Sequence, residues 1–96
     1  PFFAMPIMVR RTSYFSGHVQ GVGFRYTAAE FARAYAVKGF VRNLPDGRVE
    51  CVCEGSPDEM ERFLDALAER MGHFIKQRTD ADSPASGEFD GFEVRR

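Results

Sequence analysis

A chain of 96 residues with 44% hydrophobic content and ten phenylalanines fits one globular domain and excludes a disordered one. Thirteen basic residues against fourteen acidic ones leave a net charge of −1, so composition does not demand a face for general nucleic-acid binding. No apolar run is long enough to cross a membrane, and the start Pro1-Phe2-Phe3-Ala4-Met5-Pro6 lacks the basic region of a signal peptide.

Residues 1–7 read as an N-terminal extension, a processing or cloning remnant with Met5 or Met8 as candidate starts, and residues 8–96 as the domain. Ile7 to Phe15, rich in β-branched and aromatic residues, predicts a first strand. A glycine-punctuated loop follows from Ser16 to Gly23. From Phe24 the period becomes helical, with Phe24, Thr27 or Ala28, Phe31 and Tyr35 on one face and Gly39 as the stop. Phe40 to Leu44 predicts a short strand, and Leu44-Pro45-Asp46-Gly47 a type I turn.

Arg48 to Gly55 sets Val49, Cys51 and Cys53 against Glu50, Val52 and Glu54, the alternation of a half-buried strand that completes a hairpin. A second helix starts at Ser56-Pro57-Asp58-Glu59, with Ser56 as N-cap, Pro57 in the first turn, Asp58 complementing the dipole and Glu59 closing a capping box. Met60, Phe63, Leu64, Leu67 and Met71 form its apolar stripe. Phe74 to Asp82 reads as a fourth strand, Ser83 to Gly87 as a loop, and Phe89 to Arg95 as a closing strand. The order β-α-β-β-α-β, with room for an extra strand, predicts an α+β fold of the ferredoxin-like split βαβ type. In it, two helices cover one face of a mostly antiparallel sheet.

Cys51 and Cys53 stand too close along a strand for a disulfide, and with His18 and His73 far apart they make no zinc site. They are expected to be reduced core residues in a cytoplasmic protein. Gly21 and Gly23 lie where a strand gives way to a helix, and glycine there lets the backbone turn tightly around a ligand. Successive N–H groups at such a point attract an anion. Arg25 follows in the first turn, where a cation opposes the helix dipole, so its forked guanidinium suits phosphate better than helix stability. The loop is neither a Rossmann fingerprint nor a Walker loop. The strands on either side of the first helix should run parallel with one strand between them, placing Asn43 about 10 Å from the loop at the same sheet edge.

Gly17-His18-Val19-Gln20-Gly21-Val22-Gly23-Phe24-Arg25 and Gly39-Phe40-Val41-Arg42-Asn43-Leu44-Pro45-Asp46-Gly47 resemble the two signatures of the acylphosphatase family, in the same order and separation. Gly91-Phe92-Glu93-Val94-Arg95 resembles the family's last strand, and Phe74 to Asp82 departs most from its pattern. The resemblance implies hydrolysis of acyl phosphates to a carboxylate and inorganic phosphate, without metal or cofactor. By position, Arg25 would bind the phosphoryl group and Asn43 would orient the attacking water. The backbone amides of His18, Val19, Gln20, Gly21, Val22 and Gly23 would complete the cradle.

A carboxylate leaving group has a conjugate-acid pKa of about 4, so it departs unprotonated and no general acid is required. No strong base stands near either motif, and a substrate oxygen is expected to take the water's proton. The His18 imidazole is not expected to be catalytic. The remaining expectations are a monomer with a small-molecule substrate and neither nucleic-acid nor membrane partner. RNA recognition on the same fold needs stacking aromatics on the central strands, and Arg48 to Gly55 has none. A regulatory module is a second rival. A carbamoyl-phosphate-handling domain of a larger transferase is a third, and the end of the chain at Arg96 favours a stand-alone enzyme over it.

Overall fold

The chain alternates between sheet and helix in the computed structural model, which describes residues 7–96: β1 (Val9–Gly17), α1 (Phe24–Ala32), β2 (Val37–Asn43), β3 (Val49–Gly55), α2 (Pro57–Arg70), β4 (Ile75–Pro84) and β5 (Phe92–Arg95). One five-stranded sheet has the order β4-β1-β3-β2-β5. Neighbours are antiparallel except β5, which pairs parallel with β2. The expected ferredoxin-like α+β arrangement is thus present, with β5 as the extra strand at one rim. Of the residues read as an extension, only Ile7 lies among those described, and it is exposed.

Register explains how the sheet positions a site. Phe15 of β1 and Asn43 of β2 both face Val49 of the intervening β3. Two strand spacings, about 10 Å, therefore separate the end of β1 from the end of β2. The helix side of the sheet presents Phe15, Val41, Val49, Cys51 and Cys53 to Phe24, Ala28 and Ala32 of α1 and to Met60, Phe63, Leu64 and Leu67 of α2. The two thiols are free and fully buried within this core.

Several elements differ from the expectation, each for a physical reason. Helix α1 ends at Ala32 and not at Gly39. Beyond it Arg33, Ala34 and Tyr35 donate to carbonyls three residues back, tightening the chain into turns, and Tyr35 still packs on Phe63 at a centroid distance of 6.1 Å. Gly39 lies inside β2, where an added Cβ would come within 1.9 Å of the Val52 carbonyl oxygen. Its job is close approach between strands.

Strand β3 is buried on both faces, not one. Its polar face is roofed by hydrogen-bond donors: Glu50 accepts from Tyr14 and Arg42, and Glu54 from Arg10, Ser86 and Gly87. At α2, Ser56 Oγ accepts the Glu59 N–H at 3.3 Å, as a cap should. The reciprocal half of the capping box is missing, because the Glu59 carboxylate accepts the Ala36 N–H at 2.9 Å and ties α2 to the α1–β2 connection. Strand β4 runs on to Pro84, tolerated because β4 is an edge strand, while β5 begins only at Phe92. Among the described residues no helix is long and apolar enough to cross a membrane.

Candidate active site

The loop between β1 and α1 begins with a bulge at Ser16 and Gly17. Gly17 has φ +125°, and a Cβ there would sit 2.4 Å from the Phe74 carbonyl oxygen. This close passage lets the His18 N–H donate to that same oxygen at 2.9 Å. The His18 amide is thereby engaged on the β4 side of the loop. Val19 then drives its side chain into the core at 0% exposure, pinning the loop from below.

Gly21 and Gly23 both take the left-handed conformation, with φ 78° and 79°. Space does not require glycine at either, since an added Cβ would meet nothing within 4 Å; the backbone conformation does. From Val19 through Tyr26 no backbone N–H has an acceptor among the described residues, and the first helical bond is Thr27 N–H to Gly23 O at 3.0 Å. No side chain caps α1 and no acidic residue sits in its first turn. A run of unpaired donors with an uncompensated helix dipole behind it is an anion-binding concavity.

Arg25 leaves the first turn of α1 and donates from Nη1 to the Arg95 carbonyl at 3.1 Å. Arg95 is the register partner of Arg42, the residue before Asn43. Asn43 ends β2, and its Oδ1 is buried without a hydrogen-bond partner among the described residues. Such an atom carries a desolvation penalty of about 1–3 kcal/mol unless something else donates to it. The tight turn that follows Asn43 is closed by Gly47 N–H to Leu44 O at 3.1 Å and Leu44 N–H to Arg48 O at 2.8 Å. Asp46 accepts from the Arg48 backbone and guanidinium, which hold its carboxyl below the usual range.

The family model for acylphosphatase matches residues 11–94. The chain belongs to the acylphosphatase family. An acylphosphatase of Acaryochloris marina is 36% identical over 92 residues, covering 96% of this chain and 99% of its own. One of Rubrobacter xylanophilus is 45% identical over 83 residues, covering 85% and 76%. The crystal structure of the Bacillus subtilis acylphosphatase superposes with a TM-score of 0.81 at 26% identity, covering 92% of this chain and 99% of that one. The chain is therefore an enzyme of the acylphosphatase type, and its family acts on small-molecule acyl phosphates.

Within this acylphosphatase fold, the loop amides, Arg25 and Asn43 gather at one sheet edge, while His18 contributes neither a free amide nor a side-chain hydrogen bond. Sequence reasoning missed Gln20 as a side chain. Its Nε2 donates to the Leu44 carbonyl at 2.8 Å and the Arg48 carbonyl at 3.0 Å. The available signal was a long amide among glycines in a loop otherwise built from backbone.

Proposed function

We propose that this acylphosphatase cleaves the carboxyl–phosphate anhydride by in-line attack of water on phosphorus, without a metal. The new bond joins the water oxygen to phosphorus. The bond from phosphorus to the acyl oxygen breaks, and the carboxylate leaves with the electron pair. Arg25 and the amides from Val19 to Gly23 hold the phosphoryl oxygens, and Asn43 Oδ1 accepts a hydrogen bond from the water. A phosphoryl oxygen takes the water's proton, so the products are a carboxylate and inorganic phosphate.

The run of unpartnered N–H groups from Val19 to Tyr26 carries this reading. Preorganised donors directed at developing charge are the main requirement of phosphoryl transfer to water. The orphaned Asn43 Oδ1 supports a polar partner at the facing strand end.

Residues 8–96 form the catalytic domain in this reading. The chain is taken to act as a monomer. The free, buried Cys51 and Cys53 fit a cytoplasmic setting. No nucleic-acid partner is assigned, since Arg10 and Arg42 on the open sheet face are paired with Glu54 and Glu50. Purified protein with benzoyl phosphate tests the proposal. Rapid hydrolysis unchanged by EDTA is the expected result; no hydrolysis refutes the activity, and loss of rate in EDTA refutes the metal-free route.

A further inference from the structure

We propose that the side chain of Gln20 is a positioning residue that sets the phosphate loop at its working distance from Asn43. The inference rests on the roles assigned above to the loop amides and Asn43, and concerns what holds the two together. Both groups facing the Gln20 carboxamide are carbonyls, so only its N–H₂ end can meet them, one hydrogen to each. The two carbonyls are not arbitrary. Leu44 directly follows Asn43, and Arg48 directly precedes Val49, the register partner of Asn43. Gln20 therefore grips the neck of the hairpin on both strands, one residue from the Asn43–Val49 pair.

Nothing else among the described side chains bonds the loop from Val19 to Gly23 to this hairpin. The other fastening of the loop, His18 N–H to Phe74 O, lies on the β4 side. Gln20 is itself exposed, so core packing does not explain it. Without the clamp the amides keep their own left-handed turns at Gly21 and Gly23 and still receive phosphate. What is lost is the alignment of that phosphate with a water held by Asn43. A misplacement of about 1 Å in a near-attack arrangement lowers a rate by roughly 10²-fold.

The test compares Gln20→Ala, Gln20→Glu, Asn43→Ala and the double variant Gln20→Ala/Asn43→Ala, with benzoyl phosphate as substrate and inorganic phosphate as ligand. Wild-type turnover is measured first, and its absence bears on the proposed function alone. In Gln20→Ala, kcat should fall roughly 10- to 100-fold, while KM and the phosphate dissociation constant stay within about threefold. In the Asn43→Ala background the same substitution should change kcat less than about twofold, since there is no longer a group to align.

Gln20→Glu should be as damaging as alanine despite its similar shape, because a carboxylate cannot donate to two carbonyls. Additive losses in the double variant, a loss of phosphate affinity as large as the loss of kcat, or wild-type turnover in Gln20→Glu would each overturn the proposal. A readout independent of turnover is the ¹⁵N NMR signal of the Asn43 side-chain amide. Gln20→Ala should move it, and an unmoved signal overturns the clamp even in a protein that hydrolyses nothing.

Discussion

The guanidinium of Arg25 hangs from the main-chain carbonyl of Arg95, 3.1 Å away, so the first turn of α1 is tied to the last residue of β5. One donor of the fork is held by the backbone, and no other described residue accepts a hydrogen bond from the rest of it. This fixes where a cation stands without neutralising it, because a carbonyl carries no net charge. A carboxylate in the same place would have competed with phosphate.

Replacing Arg25 should separate activity from stability. Arg25→Ala is expected to lower kcat/KM by about 10³-fold, with Arg25→Lys only partly restoring it, since an ammonium lacks the planar fork. Thermal stability should stay level or rise by about 0.3–1 kcal/mol, because a cation in the first helical turn opposes the dipole. Steady-state kinetics beside a melting curve checks both halves.

Asn43→Ala should behave differently. Turnover falls more than affinity, by about 10²-fold, as expected for a group that acts on the water. Removing an orphaned buried oxygen should leave the fold as stable or more so, by up to about 1 kcal/mol. A marked loss of stability would mean that Oδ1 has a structural partner. His18→Ala, in contrast, should retain most of the activity.

Hydrolysis should be flat across neutral pH, because the proposed route uses no enzyme group that titrates there. A kcat profile following a single ionisation near pH 7 would assign a general base and refute substrate-assisted proton transfer.

Two glycines should fail in different ways. Gly39→Ala drives a Cβ into the Val52 backbone at 1.9 Å and should destabilise the protein by about 3 kcal/mol or more. Gly21→Ala meets open space and has only its φ of 78° to contend with, a penalty of about 1–2 kcal/mol. It should fold but bind phosphate more weakly. Denaturant melts and phosphate titration of the pair distinguish the two.

Acid should act through Glu54. Burial opposes its ionisation, yet the N–H groups of Ser86 and Gly87, the Arg10 guanidinium and the Ser86 hydroxyl outweigh that and bring its pKa down to about 2. The folded value lies below the usual 4.5, so the stabilisation is fully present above that pH and fades as pH falls toward 2. Glu54→Gln should remove about 1–2 kcal/mol at neutrality and flatten stability between those limits. Urea midpoints measured from pH 2 to 7 read this directly, and parallel curves for variant and wild type would refute it.

Much of the fold was legible because local signals agreed with the tertiary outcome. Ser56-Pro57 and the stripe from Met60 to Met71 mark α2, and Pro45-Asp46-Gly47 marks the hairpin. The glycine loop and Arg25 stand out in the sequence because neither helix propensity nor core packing favours a glycine pair or a cation at that point. What escaped was set by partners distant in sequence. The burial of Glu50 and Glu54 depends on Arg42, Tyr14, Arg10 and Ser86, none of which alternation along β3 reveals. Strand β4 was blurred because its helix-side positions are Arg78, Asp80 and Asp82, which bond Asp65, Ser13 and Arg11 where an apolar stripe would be expected. The Gln20 clamp was invisible for the same reason: its acceptors are main-chain carbonyls, which carry no mark in a sequence.

The same charged β4 has a consequence for how copies of this chain meet. It is an outer strand of the sheet, where unpaired main-chain groups could template another chain. Lys76, Arg78, Asp80 and Asp82 stud it, and Pro84 closes it with a residue that cannot donate. The opposite rim, β5, is only four residues long and carries Glu93 and Arg95. Neither of these described rims offers the long, flat, apolar ribbon on which another chain could add as a further strand.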